Sequence, residues 1–336
     1  MDAVDVIIPT YKPDKRLFQL IEMLDRQTVP VNQIILMNTE EKYFDLECYG
    51  NSQIRHRANI TIRHQSKREF DHGRTRGMGV KRSESPIFIC MTQDAIPENE
   101  FMIEELVKAL ISEGVAIAYA RQLPDETCST IERYTRNFNY PAESRLKGKE
   151  DIGELGIKTY FCSNVCAAYK RNIYEELGGF IKHTIFNEDM IYAAGAVKAG
   201  YQIAYVSSAK VIHSHNYTNG QQFHRNFDLG VSQADHPEVF EGFPSESEGR
   251  KLVRDTRQYL KKNGKARLIP YLYIQSCCKY LGYQLGKHYR TLPGDLRIKF
   301  SMDKDYWIQD NLRKDAAGID ATRGYGKTEE ESIRRK

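Results

Sequence analysis

The sequence predicts an α/β fold, a mostly parallel sheet flanked by helices, followed by a basic helical C-terminal extension. Two observations carry this. Short apolar runs alternate with segments of helical periodicity through the first 120 residues, the pattern of strands wrapped by helices. The charge also breaks sharply: residues 250–336 hold 21 Lys/Arg against 10 Asp/Glu (net +11), whereas residues 1–249 hold 28 against 35 (net −7).

The elements follow in order. Val4-Asp5-Val6-Ile7-Ile8-Pro9 is a short apolar run closed by proline and reads as a buried strand. Residues 14–27 place Leu17, Leu20, Ile21 and Leu24 at helical spacing. Residues 33–37 and 59–63 read as the second and third strands, 73–82 as a short helix, and 86–91 as the fourth strand. Residues 98–113 form an amphipathic helix closed by Gly114, and 115–120 return as a strand. Further on, 160–169 is strand-like, 187–199 helical, 202–206 and 210–213 closing strands, and 217–232 a polar helix. From residue 249 helical patterning dominates. The linker-like segment 242–250 suggests two regions, 1–245 and 246–336.

Composition narrows the function. With 40% apolar and 28% charged residues the chain is a folded globular protein. No stretch reaches the roughly 18 apolar residues that span a bilayer. The acidic start lacks the basic region of a signal peptide, and seven cysteines without metal-type spacing argue for reduced thiols. A cytoplasmic location is expected. The basic tail calls for an anionic partner. Nucleic acid is disfavoured by the acidic first 249 residues.

In α/β sheets, ligands sit beyond the C-terminal strand ends. That rule singles out Pro9-Thr10-Tyr11, Asn38-Thr39 and Thr92-Gln93-Asp94. Asp94 is placed to hold Mg²⁺ or Mn²⁺ through oxygen, or else to cap a helix beginning near Pro97. Asn187-Glu188-Asp189 opens a helix. Its acids either answer the helix dipole or supply a general base, one acid anchored while the other faces substrate. His213 and His215 share a side if the strand continues, and read as metal ligands or as hydrogen-bonded strand-end histidines. Residues 70–79, FDHGRTRGMG, combine glycines with Arg74 and Arg76 at a loop-to-helix junction. This reads as a phosphate cradle or a solvated basic turn. The GxxxxGK[ST] loop and a GxGxxG after the first strand are both absent, which weighs against ATP and NAD chemistry.

Taken together these blocks resemble family 2 of the glycosyltransferases, with the GT-A fold. VDVIIPTYKPDKRLFQLIEMLDRQT, then FDHGRTRGMGV with SPIFICMTQDAIP, then FNEDMIYAAGAVKAGYQIAYVSSAKVIHSH match its three blocks in order and spacing over about residues 4–235. Within the family, the motifs and the run QQFHRNFDLGVSQADHPEVF look most like rhamnosyltransferases, including streptococcal rhamnan-type enzymes. These take L-rhamnose from dTDP-L-rhamnose to build bacterial cell-surface polysaccharide. The resemblance implies that Pro9, Thr10, Tyr11, Asn38 and Gln93 border the donor, with Arg76 near its diphosphate. It implies Asp94 as the last acid of the DxD metal motif, Asp189 as the base with Glu188 beside it, and His213 or His215 completing the metal shell. Thr92 stands where the first DxD acid is expected, and Asn38-Thr39 where an acid usually follows the second strand. A lipid-linked, undecaprenyl-type saccharide acceptor is implied. The basic stretch 267–289 would then lie on an anionic membrane surface, or pack on the catalytic region or a second subunit of a homodimer. Two alternatives stay open: another donor such as a UDP-hexose, and a non-catalytic nucleotide- or glycan-binding module on the same scaffold.

Overall fold

The computed structural model describes residues 4–44, 58–243 and 245–310, with the backbone alone for 245–247. Nine strands form one sheet among these residues. They are β1 (Val4–Tyr11), β2 (Val31–Thr39), β3 (Asn59–Gln65), β4 (Ile87–Met91), β5 (Ile96–Pro97), β6 (Val115–Leu123), β7 (Arg145–Lys147), β8 (Cys166–Lys170) and β9 (Gln202–Ile212). The spatial order is β3-β2-β1-β4-β8-β6-β9-β5, with β7 also paired to β9. Strands β1, β2, β3, β4, β6 and β9 share one direction, and β5, β7 and β8 oppose it. The sheet is therefore mixed but mostly parallel.

The helices are α1 (Lys15–Asp25), α2 (His72–Val80), α3 (Met102–Ile111), α4 (Thr130–Asn139), α5 (Ile152–Leu155), α6 (Arg171–Glu176), α7 (Glu188–Lys198), α8 (Asn219–Asp235), α9 (Pro237–Phe240), α10 (Ser245–Lys262), α11 (Ile269–Lys287) and α12 (Gly294–Phe300). Each face of the sheet has its own core, because side chains alternate along a strand. Val6 and Ile8 of β1 pack with Leu17 and Leu20 of α1 and Met102 and Leu106 of α3. Ile7 faces the opposite way, toward Val80 of α2, Tyr174 of α6 and Tyr192 of α7. The N-cap Asp14 accepts from the Arg16 amide at 2.9 Å and starts α1 one residue later than its apolar pattern suggests.

Three expected elements differ. The helix expected over 98–113 starts at Met102, because β5 takes residues 96–97 into the sheet. With its N-cap at Phe101, that helix is not capped by Asp94, so the capping reading of Asp94 falls. The strand expected over 160–169 begins only at Cys166, preceded by a 3₁₀ turn over Gly156–Tyr160. The two closing strands are one strand, β9, whose pairing with β6 slips from Ala120↔Val206 to Arg121↔Lys210. The bulge lets one strand keep pairing on both sides of an irregularity that the sequence shows only as a gap in apolar residues.

The C-terminal helices are packed against the rest. Helix α11 crosses α8 so closely that a Cβ on Gly286 would lie 2.1 Å from the Phe227 carbonyl oxygen, and one on Gly282 would lie 2.2 Å from that of Phe223. Only hydrogen side chains permit this backbone-to-backbone contact. Beyond it, Tyr289, Tyr306 and Trp307 bury themselves with Phe227 and Val231 of α8. Leu272 and Leu260 pack on Ile131 of α4.

The crossing gives a stability test. Gly286→Val should cost at least about 1–3 kcal/mol, because overpacking there must push two helices apart. Gly195→Ala, in α7 with nothing within 4 Å of its Cβ position, should gain roughly 0.5–1 kcal/mol from helix propensity. Urea denaturation of both variants checks the pair.

Candidate active site

The first part of the site is the turn ending β1. The Thr10 hydroxyl donates to Asn38 Oδ1 at 3.0 Å. The Asn38 amide in turn reaches the Glu40 carbonyl at 3.3 Å and His64 Nδ1 at 2.9 Å. Gln93 clamps the turn from β4's side, accepting from the Tyr11 amide at 2.9 Å and donating to the Tyr11 carbonyl at 3.0 Å. Thr10 and Asn38 are buried, so they shape the turn from beneath. The surface it presents is the Tyr11 ring, edge-on to Tyr43 with centroids 5.7 Å apart. The Lys12 ammonium lies over both rings.

The second part is a cluster of Asp94, His213 and His215. Asp94 Oδ1 is 3.6 Å from His213 Nε2, Asp94 Oδ2 is 3.4 Å from His215 Nε2, and the two Nε2 atoms are 3.1 Å apart. Both histidines lie past the end of β9, yet their rings converge on the acid at the end of β4. Gln122 on β6 sets the His213 tautomer. Its Oε1 accepts from Arg136 Nη1 at 2.5 Å, and its Nε2 donates to Tyr140 Oη at 2.5 Å and Ser163 Oγ at 3.0 Å. That orientation leaves Oε1 as acceptor for His213 Nδ1 at 3.0 Å. The proton therefore sits on Nδ1, and the Nε2 lone pair faces the cluster. Burial, then the facing His215 and Arg136, push His213 well below the usual imidazole range. Burial lowers His215 too, against the pull of Asp94. One carboxylate and two neutral imidazoles, their ligand atoms within 4.8 Å of one another, fit a divalent cation. Thr92 Oγ1, buried without a hydrogen-bond partner, lines the same cavity.

The third part begins at Asn187, held in the left-handed region at φ 64° and ψ 24°. For a residue other than glycine this costs of order 1–3 kcal/mol. Its amide is tied to Ser232 Oγ at 3.2 Å. The turn aims the next two acids in different directions. Glu188 pairs with Arg76 Nη1 at 3.1 Å and accepts from Asn164 Nδ2 at 3.0 Å. Asp189 accepts from the Asn164 amide at 2.9 Å and from the Met190 amide at 2.8 Å. Burial alone would raise Glu188, but Arg76, His72 and the Asn164 amide outweigh it and hold Glu188 below the usual range. Asp189 goes the other way, pushed up to about 7 by its burial and by the charge on Glu188.

All three acids and both histidines line one cavity of about 400 Å³. Arg76 lines it too, with its guanidinium engaged by Glu188 and by the His72 carbonyl at 3.2 Å. The expected phosphate cradle at the start of α2 is corrected. Asp71 caps that helix, accepting from the Gly73 amide at 3.0 Å and the Arg74 amide at 3.1 Å, so its N-terminus already faces a carboxylate. Gly73 makes room for the Ile181 carbonyl and Gly79 for the Ile7 side chain, not for a ligand. Sequence reasoning missed Asn164, Gln122, Arg136, Arg225 and Lys279, all of which line the cavity. Asn164 had one signal: with Ser163 it interrupts an otherwise apolar run.

The sequence pattern of glycosyl transferase family 2 matches residues 5–178. The chain belongs to that family. It is similar to the O-antigen chain rhamnosyltransferase WbaN of Salmonella anatum, 39% identical over 91% of this chain and 96% of that one. It is also similar to the O-antigen chain rhamnosyltransferase RfbN of Salmonella typhimurium, 37% identical over 90% and 96%. Its fold resembles that of the mannosyltransferase PcManGT from Pyrobaculum calidifontis, solved with GDP-Man and Mn²⁺, with a TM-score of 0.52, 12% identity, and coverage of 93% of this chain and 86% of that one. The mostly parallel sheet flanked by helices is what the order of strands and helices led one to expect, and the GT-A architecture is what the resemblance of the three sequence blocks implied. Among the described residues, no helix is long and apolar enough to cross a membrane.

Gln122 offers a test of the metal cluster that spares its ligands. Gln122→Leu removes the acceptor that fixes His213 and should weaken Mn²⁺ binding roughly 10–100-fold. Electron paramagnetic resonance titration of free Mn²⁺ reads the change.

Proposed function

We propose that the protein is an inverting rhamnosyltransferase of cell-surface polysaccharide synthesis, moving L-rhamnose from dTDP-L-rhamnose to a hydroxyl of a lipid-linked, undecaprenyl-type saccharide. The observation that carries this reading is one cavity holding both a cation-type cluster and an aspartate raised toward neutrality. The names of the two Salmonella relatives support the sugar.

Asp189 is the base in this scheme. It takes the proton of the acceptor hydroxyl as that oxygen bonds to the anomeric carbon. The bond from that carbon to the diphosphate oxygen breaks on the opposite face, and dTDP leaves with the electron pair. A base with a pKa near 7 suits the task, because it is ionised at working pH yet still proton-avid. Glu188 keeps it so by its charge, and Arg76 holds Glu188. The Asn164 and Met190 amides fix the Asp189 carboxylate. Mg²⁺ or Mn²⁺, held by Asp94, His213 and His215, would offset charge on the leaving diphosphate. The exposed Tyr11 ring, set by Thr10, Asn38 and Gln93 beside Pro9, would carry the base of the donor. The helices after residue 245, packed on the rest of the chain, would also rest on an anionic membrane surface, with the chain at the inner face of the cell membrane.

Two predictions follow from the base. Activity expressed as kcat/KM should rise with pH through about 7, because Asp189 must lose its proton first. In Glu188→Gln the limb should move to lower pH, since removing a neighbouring negative charge favours ionised Asp189. Separately, Asp189→Asn should cut turnover about 10²–10⁴-fold. Release of dTDP, measured with and without acceptor, gives the rates, and product NMR gives the anomeric configuration. Near-normal turnover, or retained configuration, would remove the scheme.

A further inference from the structure

Two of the four Arg and Lys side chains that line the cavity have no direct acidic partner. Arg76 is paired with Glu188, and Arg136 with Glu132 at 2.8 Å. Arg225 of α8 and Lys279 of α11 line the same cavity, and neither makes a hydrogen bond or ion pair among the described residues. Both are half-buried. Each repels the other, and Glu132, already paired with Arg136, is the acid that acts on Lys279 from a distance, so an anionic ligand would relieve both cations.

Their placement is built in. The Arg225 guanidinium sits over the Phe186 ring at 4.6 Å and faces the Tyr217 ring at 5.7 Å. Phe186 leads into Asn187 and the two acids, and Tyr217 packs on His215 with centroids 5.1 Å apart. Rings on its faces leave the N–H edges of the guanidinium for oxygen ligands. Lys279 is on the inward side of α11, one turn before Gly282, whose missing side chain lets α11 close on α8. Burial lowers Lys279, Arg225 and Arg136 add to that, and Glu132 opposes it. Both helices lie outside residues 5–178, the segment that matches the family.

We infer that Arg225 and Lys279 form a binding site for the diphosphate group of a substrate, so that the C-terminal helices complete the catalytic cavity. A fork donor and a point charge together suit phosphoryl oxygens better than a carboxylate or an uncharged sugar. The diphosphate has two possible sources under the reading above, the nucleotide of the donor and the lipid end of the acceptor. The site itself rests only on the cavity. The sources rest on the proposed function.

Calorimetric titration of the full chain with dTDP and, separately, with geranyl diphosphate tests this at fixed ionic strength. Lys279→Gln and Arg225→Gln should each weaken one of the two ligands roughly tenfold or more. The ligand affected names the source. Lys279→Arg should recover most of the loss, and thermal melting confirms that each variant is folded. If both variants bind both diphosphates like the parent chain, the inference is overturned. If the parent chain binds geranyl diphosphate through Lys279 but not dTDP, the thymidine-nucleotide reading fails and the diphosphate site stands.

Discussion

The buried ion pair between Arg76 and Glu188 is the contact on which the rest of the site depends. It joins α2 to the start of α7 with N and O 3.1 Å apart and both side chains nearly sealed from water. Removing one partner of such a pair typically costs about 3–5 kcal/mol, because the other is left charged and buried. The pair also decides what the next residue can do. Glu188 stays ionised because Arg76 is there, and an ionised Glu188 is one reason why Asp189 is held near neutrality. Two consecutive buried acids thus acquire opposite character, because an arginine in another helix, 112 positions earlier in the chain, pairs with only one of them. Asn164 completes the arrangement. Its side-chain amide goes to Glu188 and its backbone amide to Asp189, while its Oδ1 accepts from Tyr169 Oη at 2.6 Å.

Most of the fold was legible because its strands are buried on both faces and read as unbroken apolar runs. Val4 through Ile8 and Ile34 through Met37 leave no ambiguity, apart from Asp5, whose carboxylate is satisfied by Asn32 and by the Glu84 and Ser85 amides. The residues that end strands were legible for the same reason. A polar side chain just after a buried run lies at the end of its strand, and Asp94 and His213, which both line the cavity, obey this. Asn164 and Gln122 were harder. Gln122 lies inside β6 and looks like the polar half of an alternating strand. Its value comes from Arg136, Tyr140, Ser163 and His213, which only the tertiary fold assembles around it. The glycines of residues 73–79 misled for the converse reason. Close approach was the right inference, but the group approached is the Ile181 carbonyl.

The charge break near residue 250 is spread over the whole C-terminal segment, and α11 carries little of it. A basic tail invites the picture of a surface patch facing an external anion. In α11, however, the only charged residue between Ile269 and Gly286 is Lys279, and it faces inward, while Tyr273, Ile274, Tyr280 and Leu281 are exposed. The side of that helix turned to the cavity carries the charge, and the side turned to solvent carries the apolar surface. Close glycine packing makes this inversion tolerable, because backbone contact with α8 replaces the apolar seam that a helix pair usually needs.

The same reversal of the usual pattern occurs at the cation cluster. With Thr92 where the resemblance implies a first acid, a cation at this cluster would meet one carboxylate and two neutral imidazoles. A dication held by one carboxylate keeps a net charge of +1, where two carboxylates would cancel it. Its field on a nearby diphosphate is stronger for that reason. The compensation lies in how the imidazoles are kept neutral. His213 donates its Nδ1–H to Gln122 Oε1, which also accepts from Arg136, so the arginine that crowds the imidazole with positive charge also locks its tautomer. Such a cluster could hold a dication without a second acid, provided that Gln122 and Arg136 keep His213 in place.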